Sequence, residues 1–176
     1  LGLPAVTLGL EHLNRVGSDT VHARVEALAD WLLDRMRETR HANGAPLYRV
    51  FGPDTMDRRG STIAFYLLDP GGAVLDVYEI ERLAGEQHIS VRTGCFCNPG
   101  DGEIAHAITR DEMESCFTEP EVPVTLSDCQ RIIEDATGKV PNTIRISLGI
   151  ASTFADVWRF TRFAEEFRDR PATTLR

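Results

Sequence analysis

The stretch Ser61-Thr62-Ile63-Ala64-Phe65-Tyr66-Leu67-Leu68 decides the fold, because it is the strongest β-strand signal in the chain. β-Branched and aromatic residues of this kind pack well on a pleated, half-buried surface. Before it, residues 47–51 form a second predicted strand and residues 54–60 a polar loop. After it, a turn at residues 69–72 precedes a helix predicted over residues 74–86. We therefore expect strands and helices to share one domain.

Helices and strands also follow one another in the rest of the chain. Apolar residues at helical spacing predict the helices, and alternation of apolar and polar residues predicts the strands. Ser18-Asp19 is the expected cap of the second helix, and Ser152 or Thr153, with Asp156 at the capping-box position, that of the last. The other predictions are helices over residues 3–15, 19–42, 104–108, 110–117, 126–136 and from 153 onward, strands over residues 88–92 and 143–147, and a break at residues 119–123.

The resulting order, α-α-β-β-α-β-(short α)-β-α, indicates an α+β fold. We expect a two-layer sandwich, in which a mainly antiparallel sheet of 3–4 strands carries helices on one face. In the last strand, Ile144 and Ile146 should face the core, and Arg145 and Ser147 the opposite side. The buried stripe of the last helix is predicted to be Val157, Phe160, Phe163, Ala164 and Phe167.

Composition and charge exclude several classes of protein. The chain of 176 residues has 27 acidic and 19 basic side chains, giving a formal net charge of −8. An excess of this sign attracts neither nucleic acid nor an anionic membrane surface. No apolar run approaches the length of a membrane-spanning helix. Only four cysteines are present, fewer than in a typical secreted disulfide scaffold, so we expect reduced thiols and a cytoplasmic protein.

The run from Ser90 to Gly100 contains two cysteines, Cys95 and Cys97, among glycine, asparagine and proline residues that predict a loop. A thiol exposed on such a turn near Arg92 is placed for reactivity, because nearby positive charge favours the nucleophilic thiolate. The residues alone leave two alternatives open. The cysteines could be ordinary loop residues, or they could bind zinc together with Cys116 and Cys129.

Arg145 is the second candidate site residue. An arginine between two buried isoleucines can bind a carboxylate with two parallel hydrogen bonds. On pattern alone, a structural ion pair with an aspartate or glutamate is favoured over substrate binding. The five histidines are all predicted to be structural: His88 opens a strand, His106 could approach the loop, and His12, His22 and His41 lie on predicted helices at the surface.

Several motifs resemble those of cysteine desulfurases in the class V aminotransferase family. Arg92-Thr93-Gly94-x-x-Cys97 resembles the active-site loop of these enzymes. Residues 143–147, followed by residues 152–157, resemble their closing strand and helix, and residues 59–65 resemble another of their strands. The fuller stretch from Arg92 to Gly100 is similar to that of molybdenum cofactor sulfurase-type sequences, which share the desulfurase fold.

This resemblance implies a fold-type I, pyridoxal phosphate-dependent homodimer. Its C-terminal small domain would supply Cys97 as the nucleophile and Arg145 to bind the substrate carboxylate, with Arg92 as a further substrate-binding residue. The substrate would be L-cysteine or a related amino acid, and Cys97 would receive its sulfur as a persulfide. Cys95, which has no counterpart in ordinary desulfurases, would be an auxiliary thiol that assists sulfur relay or protects the persulfide. The sulfur acceptor is not indicated.

The resemblance also implies that a large domain is missing. Residues 1–16 would be the connecting helix, residues 17–170 the small domain and residues 171–176 a loose tail. The lone lysine, Lys139, lacks the sequence context of a Schiff-base lysine, so we expect pyridoxal phosphate only in the full-length enzyme. Two alternatives stay open: another class V aminotransferase, lyase or epimerase in which Cys97 is incidental, or a stand-alone sulfur-carrier or interaction domain.

Overall fold

The computed structural model describes residues 2–95, 99–117 and 125–175, and it contains a four-stranded sheet. The strand order is β1-β2-β4-β3, and all three pairings are antiparallel. The predicted α+β class and the antiparallel sheet are therefore confirmed. The strands are β1 (Tyr48–Val50), β2 (Thr62–Leu67), β3 (Arg92–Gly94) and β4 (Thr143–Ser147).

Seven α-helices accompany the sheet within the described ranges. Three of them, α2, α3 and α7, contribute apolar residues to the main core on one face of the sheet. The helices are α1 (Leu3–Val16), α2 (Ser18–Glu38), α3 (Val77–Glu86), α4 (Pro99–His106), α5 (Arg110–Ser115), α6 (Leu126–Thr137) and α7 (Phe154–Glu165).

The two faces of the sheet differ because side chains alternate along each strand. Ile63, Phe65 and Leu67 of β2 lie fully buried in the core, as does Ile144 of the neighbouring β4. The other face carries the residues between them, among which Ala64 is paired with Arg145. The predicted orientation of β4 is thereby confirmed, and its arginine is presented on the face opposite the main core.

The last helix begins as the sequence predicts. Thr153 is its N-cap, and its hydroxyl accepts a hydrogen bond from the Asp156 amide, while the Asp156 carboxylate accepts from the Thr153 amide at 2.8 Å. This reciprocal capping box satisfies two amide groups that would otherwise have no partner. The predicted apolar stripe is also buried: Val157, Phe160, Phe163, Ala164 and Phe167 all belong to the main core.

The second helix differs from its prediction at both ends. Gly17 is its N-cap, without any side-chain capping bond from Ser18. The helix ends at Glu38 rather than near residue 42, because Thr39 is extended and its hydroxyl donates to the Arg35 carbonyl at 2.6 Å. The chain has therefore left the helix before His41, which is buried instead of lying on a helical surface.

His41 connects the segment after α2 to the end of β2 and to the segment after α7 through two hydrogen bonds. Its Nε2 donates to the Leu68 carbonyl at 3.0 Å, and its Nδ1 accepts from the Asp169 amide at 3.0 Å. Nearby, the Ala172 amide donates to the Asp69 carboxylate at 3.1 Å, and Ala172 packs against the main core. The tail is thus attached to the domain at its start, where a loose segment was expected, and residues 172–175 form a 3₁₀ turn.

The third strand lies closer to the cysteine loop than predicted, over Arg92–Gly94 rather than residues 88–92. His88 adopts a left-handed backbone with φ of 57°, and Ile89 and Val91, which lie half-buried, pack against the core in the segment between α3 and β3. Pairing with β4 starts only at Arg92. Ile89 and Val91, which the apolar pattern assigns to a strand, therefore fill the core without joining the sheet.

Cys116, which caps the end of α5, and Cys129 of α6 are joined by a disulfide bond that links these two helices. The two cysteines and Ile133 form a small second core, on which Ile108 and Met113 pack. The predicted break at residues 119–123 lies outside the described residues. Within the described ranges, no helix combines the length and apolar character that a membrane span requires.

Candidate functional site

Arg145 lies at the centre of the sheet's second face, because β4 is flanked by strands on both sides. Its Cα is paired with that of Ala64 on β2 and with that of Arg92 on β3. Arg145 is half-buried and Arg92 is exposed. The strand pairing therefore brings the two sequence-predicted substrate-binding arginines side by side, although 53 positions separate them in the chain.

Like charges directly opposite each other in an antiparallel pair are unfavourable. In the described part of the chain, neither Arg92 nor Arg145 forms an ion pair or a hydrogen bond through its guanidinium group. The structural ion pair that the pattern favoured for Arg145 is thus not found among these residues. Two unneutralised guanidinium groups on adjacent strands form a place where an anion would be stabilised.

A cavity of about 590 Å³ opens beside Arg145. Its size falls within the usual range for small-molecule sites, roughly 300–1,000 Å³. Neither aspartate nor glutamate is among the described residues of its wall, although the chain as a whole is acidic. The wall consists of Phe51, Gly52, Pro53, Arg58, Arg59, Gly60, Thr62, Ala64, Ile104, Ala105 and Arg145.

Arg59 shapes one side of this cavity. Its guanidinium group donates to the Phe51 carbonyl at 2.9 Å and also to the Pro53 carbonyl, and so folds the polar loop back onto the end of β1. Burial lowers the pKa of Arg59, and the charge of Asp54 opposes this shift. Because its Nη1 and Nη2 groups donate to backbone carbonyls, Arg59 has a structural role in the loop, although its buried Nε has no partner in the described structure.

The cysteine loop follows β3 directly. Gly94 has φ of 125°, a backbone conformation that side-chain-bearing residues rarely adopt, and this explains why glycine stands at the point where the chain leaves the strand. Cys95 comes next and is half-buried. Burial is the largest cause that raises the pKa of Tyr78 on α3, and nearby acidic groups, Cys95 last among them, add to the shift. Cys97, the predicted nucleophile, lies outside the described residues.

His106 is buried at the end of α4, on the arginine-bearing face of the sheet. Its Nδ1 is in hydrogen-bond contact with the Tyr66 hydroxyl, and its ring lies 5.6 Å from that of Phe51. Burial, and secondarily the charge of Arg49, lowers the pKa of His106 to about 4, so the imidazole is neutral near pH 7. The prediction that His106 is structural agrees with this position.

Tyr66 on β2, the partner of His106, makes a second contact on this face of the sheet. Its hydroxyl donates to the Val140 carbonyl, and its ring lies 4.9 Å from that of Phe51. Burial raises the pKa of Tyr66, so the phenol stays protonated and can donate. Sequence reasoning assigned Tyr66 only to a strand. The sequence signal for this role was an aromatic residue with a hydroxyl on the same face of β2 as Ala64, two positions later in the chain.

Cys116 and Cys129 were expected to be reduced, and that prediction is wrong. They form a disulfide bond with a Cα–Cα distance of 5.1 Å, and both are buried. The packing of α5 against α6 brings them together, whereas the sequence shows only two cysteines 13 positions apart. The zinc alternative required all four thiols as ligands, and the disulfide removes two of them.

Lys139 cannot serve as a Schiff-base lysine in this arrangement. Its ammonium group donates to the Ala107 carbonyl at 2.6 Å and to both carboxylate oxygens of Glu112 at 2.7 Å. The hydrogen bonds from Lys139 lower the pKa of Glu112. They also hold the ammonium group between the end of α4 and the start of α5. No other lysine occurs in the sequence, so the residues of this chain do not fit the covalent attachment of pyridoxal phosphate.

Comparison with known proteins assigns the family. Residues 1–160 match the aminotransferase class-V family, and the chain therefore belongs to it. Pyridoxal phosphate dependence is a property of that family. Among the similar relatives are several molybdenum cofactor sulfurases.

The sulfurase of Arabidopsis thaliana is 28% identical over 174 residues, which cover 93% of this chain and 20% of the relative. The sulfurase of Neurospora crassa is 32% identical over 158 residues, covering 89% of this chain and 16% of the relative. The human sulfurase is 27% identical over 173 residues, which cover 96% of this chain and 19% of the relative. The chain thus spans about a fifth of the length of these relatives.

Proposed function

We propose that this chain is the small domain of a pyridoxal phosphate-dependent, cysteine desulfurase-like enzyme that transfers sulfur. The observation that carries the proposal is Arg145: it is half-buried, has no acidic partner among the described residues, and borders a cavity with no acidic wall residue. An amino-acid substrate brings a carboxylate to such a group. The match to molybdenum cofactor sulfurases supports sulfur transfer as the chemistry.

Arg145 binds the substrate carboxylate in this proposal. A guanidinium group can donate two parallel hydrogen bonds to a carboxylate, which fixes both its position and its orientation. Arg92, across the strand pair, adds a second positive charge at the same place. A carboxylate bound here would reduce the repulsion between the two arginines. The domain should therefore be more stable with the substrate bound than without it.

Cys97 is the proposed nucleophile. Its thiolate attacks the substrate sulfur, so a sulfur–sulfur bond forms as the carbon–sulfur bond breaks, and a persulfide is left on Cys97. The electron pair of the broken bond stays with the carbon fragment, for which pyridoxal phosphate would supply an electron sink, and that fragment takes up a proton and leaves as alanine. Cys95 is the proposed auxiliary thiol. It either relays the sulfur, by attacking the outer sulfur of the persulfide and leaving Cys97 as a thiolate, or protects Cys97 by forming a disulfide with it when an oxidant such as peroxide accepts the two electrons. The resemblance of residues 92–100 supports these roles, together with the turn at Gly94 that ends β3 just before the cysteines.

The remaining parts of the proposal concern a longer protein. Pyridoxal phosphate would be held by a lysine outside these 176 residues, since Lys139 is committed to Glu112 and Ala107. We propose L-cysteine or a related amino acid as the substrate and a homodimer as the assembly. The proposed cytoplasmic location rests on the acidic composition alone, because the Cys116–Cys129 disulfide removes the argument from reduced thiols. Reducing the full-length protein with borohydride and mapping the modified peptide tests the first point: a pyridoxyl group on Lys139 would contradict it.

The decisive experiment measures persulfide formation on the full-length protein with L-cysteine as substrate. Mass spectrometry of the Cys97 peptide should show one added sulfur atom, and Cys97→Ala should abolish both this species and alanine release. Arg145→Gln should raise the substrate KM, because the carboxylate loses its charged partner, while Arg131→Gln, an exposed arginine on α6, should leave KM unchanged. Full desulfuration activity in Cys97→Ala would refute Cys97 as the nucleophile. A transamination, elimination or epimerisation that survives Cys97→Ala, without persulfide formation in the unsubstituted protein, would instead favour another class V activity.

The role of Cys95 needs its own test. Cys95→Ser in the full-length protein should slow sulfur transfer to an added thiol acceptor, or make the enzyme more sensitive to oxidation. If both properties match the unsubstituted protein, the auxiliary role is wrong, and Cys97 alone accounts for the chemistry.

A further inference from the structure

We infer that Glu81 on α3 is a positioning residue for the reaction: it holds Thr93, and through Thr93 it fixes the end of β3 from which the cysteine loop extends. The inference deepens the proposed function and rests on it, because Cys97 in that loop is the proposed nucleophile. Glu81 would act through Thr93 and not on the substrate itself.

The contact between Thr93 and Glu81 joins β3 to α3. The Thr93 hydroxyl donates a hydrogen bond to the Glu81 carboxylate, and both side chains are half-buried. A hydrogen bond to a carboxylate is stronger than one between neutral groups, and partial burial limits the competition from water. Thr93 is therefore held by a directed side-chain bond in addition to its backbone pairing with β4.

The strand that contains Thr93 has little other support. β3 is three residues long and lies at the edge of the described sheet, where β4 is its single neighbour. The Thr143 hydroxyl also approaches the Gly94 carbonyl, but at 3.4 Å this contact lies beyond the usual range of a hydroxyl hydrogen bond. Among the described contacts, the bond to Glu81 is thus the main side-chain attachment of β3.

Helix α3 provides a firm base for this attachment. Three of its side chains are buried in the main core, including Ile80, which directly precedes Glu81. The Asp76 carboxylate caps the helix by accepting hydrogen bonds from two backbone amides, at 2.9 and 3.0 Å. A group carried by a packed and capped helix is held more precisely than one carried by a loop. Glu81 is therefore suited to fix the end of a short edge strand.

The position of Thr93 in the sequence links this contact to the nucleophile. Gly94 follows with its turn conformation, and Cys97 stands four positions after Thr93. A displacement on the order of 1 Å between reacting atoms can lower a rate about a hundredfold. Arg145, in contrast, lies on β4, which is also paired with β2. Loss of the contact should therefore slow the reaction of Cys97 without weakening substrate binding.

Single-turnover persulfide formation by the full-length protein, followed by mass spectrometry over a series of L-cysteine concentrations, tests this role. Its first-order rate constant does not depend on how much of a variant is folded. Thr93→Val has nearly the shape of threonine but no hydroxyl, and it should lower the rate constant at saturation by about tenfold or more. The half-saturating concentration should stay the same. Thr93→Ser keeps the hydroxyl and should keep the rate.

The other partner should respond in the same way. Glu81→Ala should match Thr93→Val, whereas Glu81→Gln, whose amide oxygen can still accept the hydrogen bond, should lose less. Thr93→Val combined with Glu81→Ala should be no slower than the slower single variant, because both changes remove the same bond.

Thr125→Val is the matched control. It removes another hydroxyl-to-carboxylate hydrogen bond, from Thr125 to Asp128 at 2.6 Å, in the cap of α6. This variant should be less stable but should form the persulfide at the rate of the unsubstituted protein. Equal slowing by Thr125→Val and Thr93→Val would show a general effect of destabilisation and would refute the inference.

The outcomes separate this inference from the proposed function. If the unsubstituted protein forms no persulfide on Cys97, the proposed function fails, and the inference fails with it. If the persulfide forms and both Thr93→Val and Glu81→Ala keep its rate constant, the positioning role alone is refuted. A higher half-saturating concentration with an unchanged rate constant also refutes it, because the contact would then serve substrate binding.

Discussion

Removing the disulfide between Cys116 and Cys129 should release helices α5 and α6 while the sheet stays intact. Among the described residues, their small core contains one other buried residue, Ile133, with Ile108 and Met113 packed on it. The main core is a separate cluster and includes none of the α5 and α6 side chains that the structure describes. Such a small cluster gives little hydrophobic stabilisation, so the cross-link should account for a large part of the local stability.

The expected magnitude follows from the loop that the disulfide closes. The cysteines are 13 positions apart in sequence. In the chain-entropy description, closing a loop of that size restricts the unfolded segment by about 3 kcal/mol at 25 °C. Since about 1.4 kcal/mol corresponds to a tenfold change in an equilibrium constant, local opening of α5 and α6 should become about a hundredfold more frequent.

Hydrogen exchange measures this opening directly. The full-length protein should be compared in its oxidised form, after reduction by a small dithiol, and as the double variant Cys116→Ala with Cys129→Ala. The double variant serves as the control for the other thiols, because Cys95 and Cys97 are unchanged in it. Peptides from α5 and α6 should exchange about a hundredfold faster, whereas those from β2 and β4 should be unaffected.

Two results would refute this reasoning. Unchanged exchange in α5 and α6 would mean that other contacts, such as the ion pair between Lys139 and Glu112, hold the helices in place without the disulfide. Faster exchange in β2 and β4 as well would mean that the two cores unfold as one unit, contrary to their separation in the structure.

Three further predictions concern stability. Phe65→Ala should lower the free energy of unfolding by about 3–5 kcal/mol in urea titrations, because Phe65 is fully buried in the core; a loss below ~1 kcal/mol would contradict that packing. Thr153→Ala should cost about 1 kcal/mol through loss of the α7 cap, and an unchanged midpoint would speak against the capping box. The pKa of His106 falls from 6.5 to about 4 on folding, so the unfolded chain binds more protons between these values, and stability should drop as the pH decreases from 6.5 to 4. His106→Gln should flatten that part of the pH profile, and an unchanged slope would show that other groups cause it.

Local pattern was sufficient for the elements whose stability depends on nearby residues. The alternation of Ile144 and Ile146 with Arg145 gave the correct faces of β4, because successive side chains of a strand point to opposite sides. The cap at Thr153 and the apolar stripe of α7 were also correct. Both features depend on residues three or four positions apart, which a sequence displays directly.

Local sequence patterns predicted the wrong bounds for β3 and α2, where contacts with residues far away in sequence determine the structure. The apolar run around Ile89 resembles a strand, but its residues pack into the core beside the sheet, and β3 forms only from Arg92. The second helix ends at Glu38, where Thr39 turns the chain, although the sequence continues without a glycine or proline until Gly44. In both cases the cost of leaving the local preference is offset by burial against residues far away in sequence.

The sequence by itself therefore determined the α+β class, the element order, the two faces of β4 and the motifs that indicate Cys97 and Arg145. Only the tertiary structure decided that Arg92 stands opposite Arg145, that Arg58 and Arg145 border one cavity, and that Cys116 and Cys129 are joined. The physical reason is the range of the interactions. Backbone periodicity and capping act within a few residues, whereas strand neighbours, cavities and disulfides depend on how segments far apart in the chain pack together.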